Sequence, residues 1–261
     1  MIDFDALTPV SRLTDALARR AAGPRNPAAV LASLMDFSGG IALAELLQAP
    51  TPQGLPHPEA ARLARSLQDH VRMQLAAALP LALSSLNGPR APKNPHASEL
   101  LEAIARVTGG PGRVPNGQAV ARLARELGAP RRSALGASLR EVQAQFAALR
   151  LEIADELRAL GPHAERLERI DAALQRSIQG KLDKLFGRME HAADLSFSRA
   201  CTHACAALPA NFEAGELASW AADGGWIECH RERCEQLVKA WFEHLRRSLD
   251  GLLLAVETGA V

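Results

Sequence analysis

The chain has 261 residues, 48% of them apolar and only 4% aromatic, and a formal net charge of +1 at pH 7. That apolar content excludes wholesale disorder, and the length suits one large domain or two modest ones. Near-neutral charge is far from the footprint of a dedicated nucleic-acid module, although it is unevenly spread. Residues 1–135 hold 15 basic against 10 acidic side chains, and residues 136–261 hold 15 against 19.

Ala and Leu dominate, Tyr is absent, and no segment alternates apolar and polar residues over a strand length. The expected fold is all-α, an N-terminal group of short helices followed by a long-helix antiparallel hairpin or three-helix bundle. Thr8-Pro9 and Asn26-Pro27 each set a capping side chain before a proline at the first helical position, and Pro58 follows the same logic. Helices are expected at 9–22, 27–36, 39–48 and 58–87, the last with Pro80 in its interior. The Pro-rich stretch 87–98 reads as a linker. A helix at 98–108 should stop at Gly109-Gly110-Pro111-Gly112, and another should cover 117–127. Gly128-Ala129-Pro130 then reads as a break, which divides the chain into a domain over 1–130 and a second over 131–261.

From Leu139 the apolar residues fall at Val142, Phe146, Leu149, Ile153, Leu157 and Leu160, one stripe of a helix over 134–160. Gly161-Pro162 ends it. A second stripe through Leu167, Ile170, Leu174, Ile178, Leu182, Leu185 and Met189 marks a helix over 163–207, about 65 Å long at 1.5 Å per residue. A short connection around 211–220 leads to a last helix at 226–256, with its own stripe from Ile227 to Val256. Three such stripes each need a partner, within the chain, in a homo-oligomer or on another protein.

Chemistry-bearing residues are few. Cys201, Cys205, Cys229 and Cys234 come in two pairs about 25 residues apart, with His203 and His230 beside them. Two Cys at i, i+4 share a helix face, so two pairs could close a thiolate site for structural Zn²⁺. The competing reading is buried core, because Cys behaves as a small hydrophobe and these positions extend apolar stripes. Arginines supply 26 of the 30 basic residues. Arg62, Arg65 and Arg72 share one helical face, and Arg122, Arg125, Arg131 and Arg132 cluster in another segment; they are the candidate contacts to duplex DNA, or else an ordinary solvated face. Trp226 follows Gly224-Gly225 and is a candidate partner contact, against the competing reading of a core residue. The chain has no P-loop, no dinucleotide-binding glycine motif, no H-E-x-x-H and no G-x-S-x-G, so an enzyme is not expected. No resident cofactor is expected either. Met1-Ile2-Asp3-Phe4-Asp5 lacks the features of a signal peptide, and the most apolar window, Met73–Leu86, is too short to span a membrane. A cytoplasmic location without membrane insertion is therefore expected.

Two stretches carry a resemblance. The N-terminal run from Ser11-Arg12-Leu13 through Leu31-Ala32-Ser33-Leu34-Met35-Asp36-Phe37 to Ile41-Ala42-Leu43-Ala44-Glu45-Leu46-Leu47 is one. The other comprises Arg166-Leu167-Glu168-Arg169-Ile170-Asp171-Ala172-Ala173-Leu174 and the ending from Trp241 to Val256. Together they resemble an uncharacterised proteobacterial family that looks like ZorF, the accessory component of type III Zorya anti-phage systems. The resemblance implies a non-enzymatic interaction or adaptor protein acting in the cytosol downstream of a membrane motor. The partners it implies are the second accessory protein of the same operon and the cytosolic part of the motor. The alternative role is sequence-independent DNA binding through the basic N-terminal half.

Overall fold

The computed structural model describes residues 58–89 and 91–258, together with the helical residue Gln48. The helices expected at 9–22, 27–36 and 39–48 otherwise lie outside the described residues. Every regular element among the described residues is an α-helix: α1 (Pro58–Asn87), α2 (Ala97–Thr108), α3 (Gly117–Ala159), α4 (Pro162–Ala206), α5 (Ala214–Ala221) and α6 (Trp226–Thr258). No helix among them is long and apolar enough to cross a membrane.

Local chemistry accounts for the ends. The α2 N-terminus is held by Glu99, whose carboxylate accepts the backbone N–H of His96 at 2.8 Å, and Glu216 does the same for Glu213 before α5. α2 stops where Gly109 takes φ 77°, a left-handed conformation that a Cβ would strain, and its N–H satisfies the Ala105 carbonyl. Asn116 accepts the Ala119 N–H through its side chain and starts α3.

Sequence and structure part company at Gly128-Ala129-Pro130. A glycine and a proline two residues apart read as a helix break, and they supply the expected domain boundary at 130/131. Instead α3 runs unbroken through them. Pro130 has no N–H to give the Glu126 carbonyl, yet buried side chains continue on both sides, from Leu123 to Leu135 and Leu139. Packing on that stripe outweighs the lost bond.

The chain divides into two compact units, and α1, α3, α4 and α6 each give residues to both. The described part of the first unit comprises residues in Ala82–Leu139 and Arg188–Lys239. Its core joins Leu100 and Ile104 of α2, Leu123 of α3, Phe197 and Cys201 of α4, Leu217 and Trp220 of α5, and Trp226 and Ile227 of α6. Within this unit α2 packs on α5. Arg132 of α3 pairs with Asp194 of α4 at 3.2 Å. Gly128 lets the Phe197 ring approach the α3 backbone, since a Cβ there would lie 3.0 Å from the ring.

The second unit holds residues 58–81, Arg140–Gly187 and the described residues from Ala240 onward. Here α3 and α4 form the antiparallel hairpin expected from sequence, closed by Gly161 at φ 111°. Arg150 pairs with Asp171, and Arg158 with Glu168 at 3.0 Å, in the order an antiparallel pair requires. Arg150 also donates to the Ser248 hydroxyl at 2.8 Å, and Phe146 meets Phe242 edge-on at 5.2 Å, which brings in α6. Gln68 and Arg65 of α1 both reach Glu257 of α6.

Gly128→Leu drives a side chain into Phe197 and should cost about 1–3 kcal/mol, beyond any gain in helix propensity. Urea unfolding of the full chain measures it; a variant as stable as the parent would mean the α3–Phe197 contact is slack.

Candidate functional site

Among the candidate arginines Arg131 has the most unusual setting. It lies in the middle of α3, 9% exposed, with its guanidinium 5.9 Å from the Phe197 ring centroid. Nη1 donates to the Leu127 carbonyl at 2.9 Å and Nη2 to the Lys93 carbonyl at 3.3 Å. Burial lowers its pKa from the ordinary arginine value, while Cys234 and the carboxylate of Glu228 act in the opposite sense. Glu228 in turn accepts Asn94 Nδ2 at 2.8 Å. Arg131 therefore staples the 88–96 connection to α3. Being buried, it is no part of a phosphate-binding face, and it leaves the candidate DNA-contact set on that ground.

The other candidate arginines are exposed but differ in their partners. Arg65 pairs with Glu257, Arg72 with Asp69 and Arg132 with Asp194. Arg62, Arg122 and Arg125 make no ion pair among the described residues. The expected set thus separates into three paired, three unpaired and one buried.

Beside Arg131, His230 and Cys234 make the pair that most resembles catalytic machinery, with Nε2 and Sγ 3.4 Å apart. Its electrostatics run the other way. Burial pushes the His230 pKa down to about 3, helped by the positive charges of Arg131 and Arg233. Burial pushes the Cys234 thiol up to about 12, against the pull of Arg131. Both groups are neutral near pH 7, so the thiolate that nucleophilic chemistry needs is not formed. Sequence reading placed these residues near a metal site and missed their pairing, whose one signal was the i, i+4 spacing.

The four cysteines do not come together. Cys201 and Cys205 share the buried face of α4, where the hydrogen bond between them raises the Cys201 pKa. Cys234 packs by His230, and the half-buried Cys229 thiol donates to the Gly224 carbonyl at 3.5 Å. No group of three or more His, Cys, Asp or Glu among the described residues is placed to hold a metal ion. Trp226 is also corrected: it is 7% exposed and lies against Phe197 and Trp220, with centroids 5.0 and 5.6 Å away. The Gly224-Gly225 turn delivers it into a core that also holds Phe197, Phe212 and Trp220.

The open feature of the first unit is a cleft of about 570 Å³ along the α3–α4 seam. Val120, Ala121 and Ala124 line it from α3, with Ser198, Thr202 and Cys205 opposite, and Arg125 and Arg132 at its edge. Small side chains on both helices keep the seam open. An open seam between two helices, with Arg132 paired to Asp194 and Arg125 at its edge, suits the seating of another chain better than the enclosure of a reacting small molecule.

Residues 7–258 match the family described as "Protein of unknown function (DUF3348)". The chain belongs to that family. No curated protein and no solved structure matches it. The match covers all of α1–α6, so the cleft and the Arg131 staple both lie within the DUF3348 region.

Two measurements follow from the buried His230. With a folded pKa near 3 against about 6.5 unfolded, the unfolded state takes up a proton first as pH falls. Stability contributed by the neutral imidazole is fully present above pH 6.5 and drains away toward pH 3, by at most about 1.4 kcal/mol per pH unit for one proton. Urea midpoints taken across that window should fall, and His230→Phe should flatten the decline. Arg131→Ala removes the donor to Lys93 and opens space beneath Phe197, for an expected loss of about 2–4 kcal/mol in the same assay.

Proposed function

We propose that this DUF3348 protein is a non-enzymatic helical adaptor, an accessory component of an anti-phage defence system that acts in the cytosol downstream of a membrane motor. The observation that carries the adaptor role is the open, small-residue cleft of about 570 Å³ between α3 and α4, lined by Val120, Ala121 and Ala124 on one side. Exposed large hydrophobics add to it: Met73 is 68% and Leu151 70% exposed. The system-level assignment rests on the resemblance of the two sequence stretches to the ZorF component. The partners on this reading are the second accessory protein of the same operon and the cytosolic part of the motor.

The test uses the purified full chain with those two components. Each is expected to co-elute with it, and Ala121→Trp, which fills the cleft from an exposed position, should weaken capture at least tenfold without lowering the unfolding midpoint. Capture that survives a filled cleft would move the interface elsewhere; no capture by either component would sink the adaptor reading.

A second reading keeps duplex DNA as a partner. It is favoured by Arg122 and Arg125, both exposed on α3, of which Arg125 lines the cleft; neither makes an ion pair among the described residues. Two phosphate contacts predict a drop of roughly 2 in the slope of log affinity against log salt when both are changed to Ala. Fluorescence anisotropy with labelled duplex across a salt series reads that slope. No binding at low salt would leave these arginines as solvation.

A further inference from the structure

The second unit carries a groove of about 650 Å³ between α1 and α3. Its floor is apolar, with Leu67 and Val71 from α1 and Leu149 and Ile153 from α3. Leu63 also lines it and keeps 47% of its surface in water. The two walls differ in charge. Ser66, His70 and Gln74 of α1 form one, and Glu152, Asp155 and Glu156 of α3 form the other. Among the described residues no Lys or Arg lines the groove. Asp155 is partly answered by Arg158 at 2.9 Å, a cation that Glu168 shares. Glu152 meets His70 at 3.6 Å, a bridge that is ionic only when the imidazole is protonated. Glu156 is exposed and makes no ion pair among the described residues.

We propose that this groove docks a basic amphipathic helix of another protein, its Lys or Arg side chains set against Glu152 and Glu156. Charge fixes the sign of the occupant: an apolar floor beside unanswered carboxylates calls for an apolar face flanked by cations. The same carboxylates repel nucleic acid and acidic segments. Their spacing fixes the form. Glu152 and Glu156 stand at i and i+4 on α3, so cations repeating at one helical step meet both. Both walls are helices whose interior backbone groups are bonded within them, so an extended segment would find no ladder to join. A helix satisfies its own backbone and needs only the apolar floor. From Leu63 to Gln74 that floor runs about 16 Å, which is three turns of an occupant helix. The groove lies wholly in the second unit, so it stands whether or not the α3–α4 cleft of the first unit seats a partner.

The probe is a labelled, end-blocked peptide of about 18 residues, made of Leu, Lys and Ala with Lys flanking a Leu stripe. A twin peptide carries Glu in place of Lys. Fluorescence anisotropy with the purified full chain is expected to show saturable binding of the Lys peptide and none of the Glu peptide. Glu152→Gln combined with Glu156→Gln should weaken binding at least tenfold at an unchanged unfolding midpoint. Salt at about 0.5 M should weaken it too, because exposed ion pairs are screened. Zero-length carbodiimide coupling then locates the peptide on the parent chain, a readout that needs no variant to fold. Peptide maps are expected to show links from its Lys side chains to Glu152, Asp155 or Glu156. Equal binding of the two peptides, or links confined to other carboxylates, would overturn the proposal. Failure of the Lys peptide to bind would overturn it as well, the groove then being filled within the chain or by a second copy.

Discussion

Phe197 is the point on which the first unit turns. Its ring can reach the backbone of α3 only because position 128 has no side chain, and that approach brings it under the guanidinium of Arg131. Trp226 and His230 of α6 close on the same ring at 5.0 and 4.9 Å. One aromatic side chain thus ties α3, α4 and α6 together. The cation above it is costly to bury and has no carboxylate in direct contact; two backbone carbonyls and the π face compensate it instead. Because one of those carbonyls belongs to Lys93, the irregular 88–96 connection is fixed by the same contact.

The chemistry of the neighbourhood follows from this arrangement. Burial, helped by the charges of Arg131 and Arg233, holds His230 neutral, and burial keeps Cys234 protonated, so the pair packs as two neutral groups. Two open surface features stand apart from this pair. In the first unit the seam between α3 and α4 is left open by Ala121, Ala124 and Ser198, and in the second an acidic apolar groove lies between α1 and α3. Both features suit recognition of another polypeptide segment, and the proposed roles are built on them.

Much of the fold was legible from periodicity. The steps of three and four from Leu139 to Leu157 named residues that are all buried, and the bounds of α1, α2, α4 and α6 lie within two residues of expectation. Gly161 and Gly109 stop helices as their flanking prolines and glycines suggested. The candidate site was much less legible. Seven arginines looked alike in sequence, yet one is buried, three are paired, and three make no ion pair among the described residues. Trp226 after two glycines could be read as a partner contact or as core, and packing makes it core. Two cysteine pairs with metal-like grouping remain apart on two helices.

The difference has a physical cause. Hydrophobic period, caps and turn residues act over one or two helical turns, so the chain alone determines that it is helical, where most helices begin and end, and which face of each is apolar. Gly128 and Arg131 answer to a side chain 69 and 66 positions further along. Whether a glycine breaks a helix or admits an aromatic ring, and whether an arginine meets water or a carbonyl, depends on what packs opposite. Only the tertiary structure decides that, because solvation of a polar group and contact of an apolar one are properties of the assembled neighbourhood.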